Sequence, residues 1–351
     1  MRLGGAGRRV TLLAVAVLLP LLAGEAFLRV VWTNPYRGQG ASWVVQLRLH
    51  RPHTDRWIDR SLIDKEVPRV RLRTDARGYI LPSGPSPDPG ETVLFLGGST
   101  TECEAVQEPL RFPALTCALL AEAGVRARCL NAARSGNCLQ DSINILLNHA
   151  LQDAPDFAVV MNATNDVGIL SRPGGYAPRA ARTQTFGDAL GVPAASLSSW
   201  SSLAGLCRQS LEQSQIQPRV VVPGPPGSAR PVPQEPFRAR LRAFVRVSRA
   251  LGVVPVLMTE PQALRRTVLT PEWSNKGNQD LFNDVIRRVA AEESSPLIDL
   301  ATDLETFHPG WDRSLDLLYD GVHVTDAGSR FYAERVVAGL EPLLRAAAAS
   351  R

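Results

Sequence analysis

Five short segments, apolar or alternating in character, recur through residues 92–299, and stretches with helical spacing separate or follow them. The short segments predict strands over 92–96, 126–131, 157–161, 253–258 and 297–299, since apolar runs of this length bounded by turn residues suit strands covered on both faces. Apolar residues three and four apart predict helices over 110–123, 140–151, 237–251, 278–292 and 326–340. Strands alternating with helices predict an α/β fold, with a central, mostly parallel five-stranded sheet and helices on both faces. In such sheets ligands bind at the carboxyl ends of the strands.

The N-terminus follows another pattern. Arg2, Arg8 and Arg9 precede an apolar stretch over 10–24. Positive charge ahead of an apolar run holds the N-terminus in the cytoplasm and sends the remainder across the membrane. The stretch reaches spanning length if it continues to Trp32 past Glu25 and Arg29. Those two residues are four apart, so on a helix they share a face and can pair. No clean A-x-A cleavage site follows. Residues 1–32 are therefore expected to form a membrane anchor, with a cleaved signal peptide as the alternative. Either reading places the body outside the cytoplasm.

Residues 33–90 read as a polar, irregular extension and linker. Arg69-Val70-Arg71-Leu72-Arg73 alternates basic and apolar, as a half-exposed strand does, and 82–90 is rich in proline, glycine and serine. The main domain is expected at 91–345. It carries an insertion at about 167–236, where the alternation breaks. A helix is expected over 199–213, and seven prolines in 217–236 argue against regular structure there. Such an insertion can serve as a lid or substrate wall, or be a surface loop.

Composition narrows the picture. Apolar residues make up 44% of the 351 residues and charged ones 21%, enough for a real core. The net charge of +5 comes from scattered arginines with no basic block among aromatics, so no nucleic-acid partner is expected. Five cysteines without a C-x-x-C pair make neither a disulfide scaffold nor a zinc knuckle. A bridge between Cys103 and Cys138 is conceivable, since each follows a loop of interest. Cys117, Cys129 and Cys207 read as small buried residues. His50, His53 and Asp55 lack a third histidine or cysteine partner, and read as exposed structural groups rather than metal ligands.

Four segments carry chemistry. Val93 to Leu96 lead into Gly97-Gly98-Ser99-Thr100, which lifts a hydroxyl to the sheet's edge. Thr101 stands where the α/β-hydrolase elbow needs glycine, which disfavours that fold. Gly136 follows the second strand and can bring a backbone N–H to a ligand. Asn165 follows the third and can donate its amide to an oxyanion. Asp320-Gly321-Val322-His323, beyond the fifth, offers a base and a carboxylate to orient it. Taken singly, Ser99 could cap a helix, Gly136 and Asn165 could be turn residues, and His323 a loop histidine. Their order at successive strand ends is what points to a shared site. Asp166 reads as a scaffold carboxylate, and the glycosylation sequon at Asn162 as accidental.

At these residues the chain resembles the GDSL-like, or SGNH, serine hydrolase family, over about 91–344. The serine, glycine, asparagine and histidine blocks fall on Ser99, Gly136, Asn165 and His323, with Asp320 three before the histidine. The first block, GGSTTEC, is similar to that of membrane-anchored bacterial members. Gly98 replaces the family's aspartate, and Ala163 replaces the glycine that usually opens the third block. The resemblance implies a flavodoxin-like three-layer α/β/α sandwich. It implies Ser99 as nucleophile, His323 as base and Asp320 as its orienting acid. The Ser99 and Gly136 N–H groups and the Asn165 amide would form the oxyanion hole, with no metal or cofactor. The expected function is an extracytoplasmic serine esterase, in the periplasm or at the cell surface, acting on O-acyl esters of a small molecule, glycan or lipid. The alternatives are an O-acyltransferase modifying a cell-envelope polysaccharide and a non-catalytic glycan-binding protein on the same fold.

Overall fold

The computed structural model describes residues 5–34, 47–82, 90–172, 174–176, 197–216, 232–262, 276–307 and 314–350. The chain divides into two compact units, residues 1–46 with 181–222, and residues 47–180 with 223–351. Residues 83–89, 177–196 and 217–231, which hold most of the expected linker and insertion, lie outside the described residues.

Helix α1 (Gly5–Val31) opens the first unit. Its segment Leu12–Val31 is long and apolar enough to cross a membrane, by length and composition. The second unit begins with a hairpin of β1 (Asp55–Asp59) and β2 (Arg69–Arg73), paired antiparallel. Strand β2 alternates as expected, with Val70 and Leu72 buried and Arg69 and Arg71 exposed. The region is not irregular, however. Strand β1 was illegible because it is mostly exposed and its residues, Asp-Arg-Trp-Ile-Asp, give no apolar alternation. The buried Arg111 fastens the hairpin, donating to the carbonyls of Arg71 (2.6 Å), Leu81 (3.1 Å) and Cys103 (3.1 Å).

The main sheet is built from β3 (Glu91–Gly97), β4 (Ala127–Asn131), β5 (Phe157–Met161), β6 (Val254–Met258) and β7 (Leu297–Ile298). Its order is β4-β3-β5-β6-β7, and every pair is parallel. Side chains alternate across it. Val93 and Phe95 enter a core on one face with Phe112, Met258 and Tyr332. Leu94 and Leu96 enter the other with Phe237, Phe244 and Phe282. Each such side chain contributes about 1.5–3 kcal/mol by leaving water.

The helices follow from this division. After β3 come the single turn α2 (Ser99–Glu102) and α3 (Phe112–Glu122). After β4 and β5 come α4 (Leu139–Asn148) and α5 (Thr164–Leu170). Helix α6 (Ser202–Ile216) belongs to the first unit. Then come α7 (Glu235–Ala250), α8 (Lys276–Glu292), α9 (Leu300–Phe307), α10 (Ser314–Leu317) and α11 (Asp326–Ala349). Helix α3 packs with α11 over one face, and α4, α7 and α8 cover the other. This is the three-layer α/β/α sandwich. Helix α11 runs past Pro342 because Leu340 and Leu344 are both buried beneath it. Pro236, the last of the seven prolines, sits in the first turn of α7, where its missing N–H costs nothing.

The disulfide joins Cys117 on α3 to Cys129 on β4, with Cα atoms 6.0 Å apart. The conceivable Cys103–Cys138 bridge is not formed, and both cysteines are free. The Cys103 sulfur instead donates to the Thr100 carbonyl (3.1 Å) and that of Cys138 to Asp141 (3.3 Å), so each is held on its own loop. Cys207 is exposed rather than buried.

In the first unit, the Glu25 carboxylate accepts from Arg29 Nε (2.8 Å), as their spacing implies. It also accepts from Ser201 Oγ (2.8 Å), Ser202 N (2.8 Å) and Leu203 N (3.0 Å). Glu25 thereby satisfies N–H groups that the first turn of α6 leaves unpaired. Asn34 Nδ2 adds bonds to the Ser198 carbonyl (2.9 Å) and the Ser201 carbonyl (3.2 Å).

Candidate active site

Strand β3 delivers Ser99 through two closely packed glycines. A Cβ on Gly97 would lie 2.2 Å from Thr101 Oγ1 and 2.7 Å from the Met161 carbonyl oxygen. A Cβ on Gly98 would lie 2.4 Å from Asn165 Nδ2. Close approach of neighbours, rather than an unusual φ, is what crowds these positions, at Gly97 by backbone and at Gly98 by the Asn165 side chain. Ser99 then opens α2 with Gly98 in the cap position, so the serine itself is not the cap.

His323 comes from the loop between α10 and α11. Leu318 and Val324 pair across this loop, and Gly321 turns it at φ +85°. Asp320 Oδ1 accepts the backbone N–H of Val322 (3.0 Å) and of His323 (2.7 Å). Its Oδ2 lies 2.6 Å from His323 Nδ1, and His323 Nε2 lies 2.7 Å from Ser99 Oγ. The Tyr319 ring stacks on the imidazole with centroids 5.7 Å apart. Both polar contacts fall within the reach required of a nucleophile, its base and the group that orients it.

The electrostatics suit such a set. Burial works against an imidazolium at His323, but the hydrogen bond and charge of Asp320 outweigh it and hold its pKa above the usual histidine value. Burial alone would raise Asp320, yet the His323 donors and charge hold its carboxyl below the usual range. Cys103, four residues from Ser99, cannot compete as a nucleophile, because burial pushes its thiol up to about 12.

Gly136 lies in the loop after β4 at φ +78°, a conformation that favours glycine. Ser135 beside it lines the same cavity as Ser99 and His323. The cavity holds about 160 Å³, and Glu104, Tyr319 and Val324 also line it. Asn165 stands against Gly98 and gives one amide N–H to the Asn137 carbonyl (2.9 Å). An amide carries two such donors, so the bond leaves a second for a ligand. Of the residues singled out after successive strands, Ser99, Asp320 and His323 line this cavity, Gly136 adjoins its wall at Ser135, and Asn165 stands against Gly98.

Asp166 is a scaffold group, accepting from Leu139 N (3.1 Å) and from the Tyr176 hydroxyl. Burial pushes its carboxyl up to about 7. The Asn162 amide is buried and bonded to Ser142 and Asn137, so the sequon is closed to modification in the folded chain. His50 is not exposed: its side chain is 9% accessible and its Nε2 lies 2.7 Å from Glu102 Oε1. His53 sits in a turn at φ +54°, and Asp55 pairs with Arg71. Among the described residues no cluster suits a metal ion. Two buried acids escaped notice, Glu102 on α2 and Glu260 just after β6. A polar residue at a strand's carboxyl end was the available signal for Glu260.

A profile of the GDSL-like Lipase/Acylhydrolase family matches residues 95–331. The chain belongs to that family and is an ester-hydrolysing enzyme. No curated protein is matched by the chain. Among solved structures it is similar to a lipase/acylhydrolase from Enterococcus faecalis, at 17% identity and a TM-score of 0.47, covering 72% of this chain and 96% of that one. It is also similar to a variant of an acetyl xylan esterase from Geobacillus stearothermophilus, at 18% identity and a TM-score of 0.45, covering 72% and 95%.

Proposed function

We propose that this member of the GDSL-like lipase/acylhydrolase family cleaves short-chain O-acyl esters through an acyl-serine intermediate, outside the cytoplasm and tethered by α1. One observation carries the chemistry: the unbroken run from Ser99 Oγ through His323 to Asp320, with contacts of 2.7 and 2.6 Å. Ser99 Oγ attacks the ester carbonyl carbon, and its proton passes to His323 Nε2. The carbonyl oxygen becomes an oxyanion, received by the Ser99 and Gly136 N–H groups and the Asn165 amide. Asp320 holds the Nδ1–H and stabilises the imidazolium. The tetrahedral intermediate then breaks its ester C–O bond, and His323 returns the proton to the departing alcohol. Water attacks the acyl-serine by the same route, giving the acid and regenerating the hydroxyl.

Size supports a short acyl group. The 160 Å³ cavity is well below the roughly 300–1,000 Å³ that holds a drug-sized ligand. It suits an acetyl or similarly short chain, with the alcohol portion outside. An alcohol portion lying at a rim that carries Glu104 and Tyr319 favours a polar molecule such as a sugar over a lipid.

Two features support the location. The Cys117–Cys129 bridge suits an oxidising compartment. Glu25, inside the apolar helix, accepts N–H groups from Ser202 and Leu203. Such built-in capping of α6 favours α1 as a retained anchor over a signal that is removed.

An ester panel tests the reading, from acetyl to long-chain and from sugar to glycerol, with Ser99→Ala as control. Turnover that falls with chain length and vanishes in Ser99→Ala is expected. Preference for long chains would contradict the acyl assignment.

A further inference from the structure

Each oxyanion-hole loop is gripped by a buried carboxylate that also belongs to, or bonds with, the helix carrying the nucleophile. Glu102 ends α2 and is fully buried. One of its oxygens accepts the backbone N–H of Ser135, and the other faces His50 Nε2 at 2.7 Å. Arg48 Nη2 donates to the Ser135 carbonyl at 2.9 Å. That carbonyl and the Gly136 N–H share one planar, trans peptide, so they point in opposite directions. Holding the carbonyl on Arg48 therefore aims the Gly136 N–H the other way. Arg48 also exchanges hydrogen bonds with Asn137, through Nε to Oδ1 (3.0 Å) and from Asn137 Nδ2 to its own carbonyl (3.0 Å).

Glu260 does the same for the second loop. Its Oε2 accepts Ala163 N (2.8 Å) and Thr164 N (2.7 Å), the two residues before Asn165. Its Oε1 accepts the Thr100 hydroxyl (2.7 Å), next to Ser99. Asn283 on α8 pins the Glu260 backbone at both its N–H and its carbonyl, each at 3.0 Å. A buried carboxylate is costly unless several directed donors replace its water. Here those donors are the N–H groups of the loops that must not move.

We propose that Glu102, with Arg48, and Glu260 are positioning residues that fix the Gly136 peptide and the Asn165 amide, respectively, against the nucleophile's helix. The proposal rests on the oxyanion-hole assignment made above. A misplacement of about 1 Å in such a site can cost on the order of 10²-fold in rate.

The test is the second-order rate of Ser99 labelling by a fluorophosphonate, whose P=O oxygen needs the same donors. It is measured on the full chain in wild-type and Asn165→Ala backgrounds. Asn165→Ala is expected to slow labelling on the order of 10²-fold. Glu260→Ala is expected to slow the wild type by roughly 10- to 10²-fold and to add nothing in Asn165→Ala, because it acts through Asn165. Glu102→Ala is expected to slow both backgrounds equally. Glu260→Gln and Glu102→Gln, which keep an acceptor oxygen for the loop, should restore most of the rate. Where an alanine variant does not fold by circular dichroism, Thr100→Val replaces Glu260→Ala and Arg48→Met replaces Glu102→Ala, with the same expectations. A Glu260 or Thr100 loss that persists in full in Asn165→Ala would overturn the proposal, as would unchanged rates. Asn165→Ala labelled as fast as wild type would instead overturn the oxyanion-hole reading beneath it.

Discussion

Asp320 holds His323 twice, accepting its backbone N–H at 2.7 Å on one oxygen and its Nδ1 at 2.6 Å on the other. The carboxylate therefore shapes the loop and selects the imidazole tautomer that leaves Nε2 facing Ser99. Asp320→Asn keeps the size but disturbs that choice. Its kcat is expected to fall by about 10⁴-fold, with KM little changed, since ground-state binding does not use the imidazole. Steady-state kinetics on a short-chain ester check this. A loss confined to KM would count against the role.

His323 must be neutral to accept the serine proton. Its pKa lies above the usual histidine value of about 6.5. The acid limb of kcat/KM is thus expected above that value, with activity falling as pH drops through it. Removing the carboxylate removes what raises the pKa and leaves burial, which lowers it. Asp320→Asn should therefore move the residual limb to lower pH. A limb that stays in place or rises would contradict the pairing.

The Cys117–Cys129 bridge closes a loop with a sequence separation of 12. Loops of about this length give roughly 3 kcal/mol by restricting the unfolded chain. The Cys117→Ala, Cys129→Ala variant is expected to lose about 2–4 kcal/mol in urea unfolding. Its kcat should stay near wild type, because neither sulfur lines the cavity.

If α1 is retained, the chain expressed in a bacterial host sediments with membranes, and peptide mapping finds residues 1–31 attached. A soluble periplasmic product lacking those residues would show that the helix is a leader.

The sheet was readable because its strands are apolar and its helices are spaced to cover them. The candidate site was legible because Ser99, Gly136, Asn165 and His323 all follow predicted elements in order. The rest, apart from the place of Glu260 at a strand's carboxyl end, lacks a local signal. Strand β1 is mostly exposed and shows no period-two apolar pattern. The cysteine pairing depended on how α3 turns its face to β4. Glu102 and Glu260 bind backbone N–H groups 33 and 97 residues away, at Ser135 and Ala163, and a main-chain donor leaves no trace in sequence. His50 looked exposed for the same reason, since its partner Glu102 lies 52 residues further on.

The central claim is that Ser99 becomes acylated through His323. Its most direct measurement is peptide mass spectrometry of the chain after brief exposure to a fluorophosphonate. One covalent adduct on Ser99 is expected, absent in Ser99→Ala and slowed by orders of magnitude in His323→Ala. An adduct on another residue, or equal labelling without His323, would contradict the account.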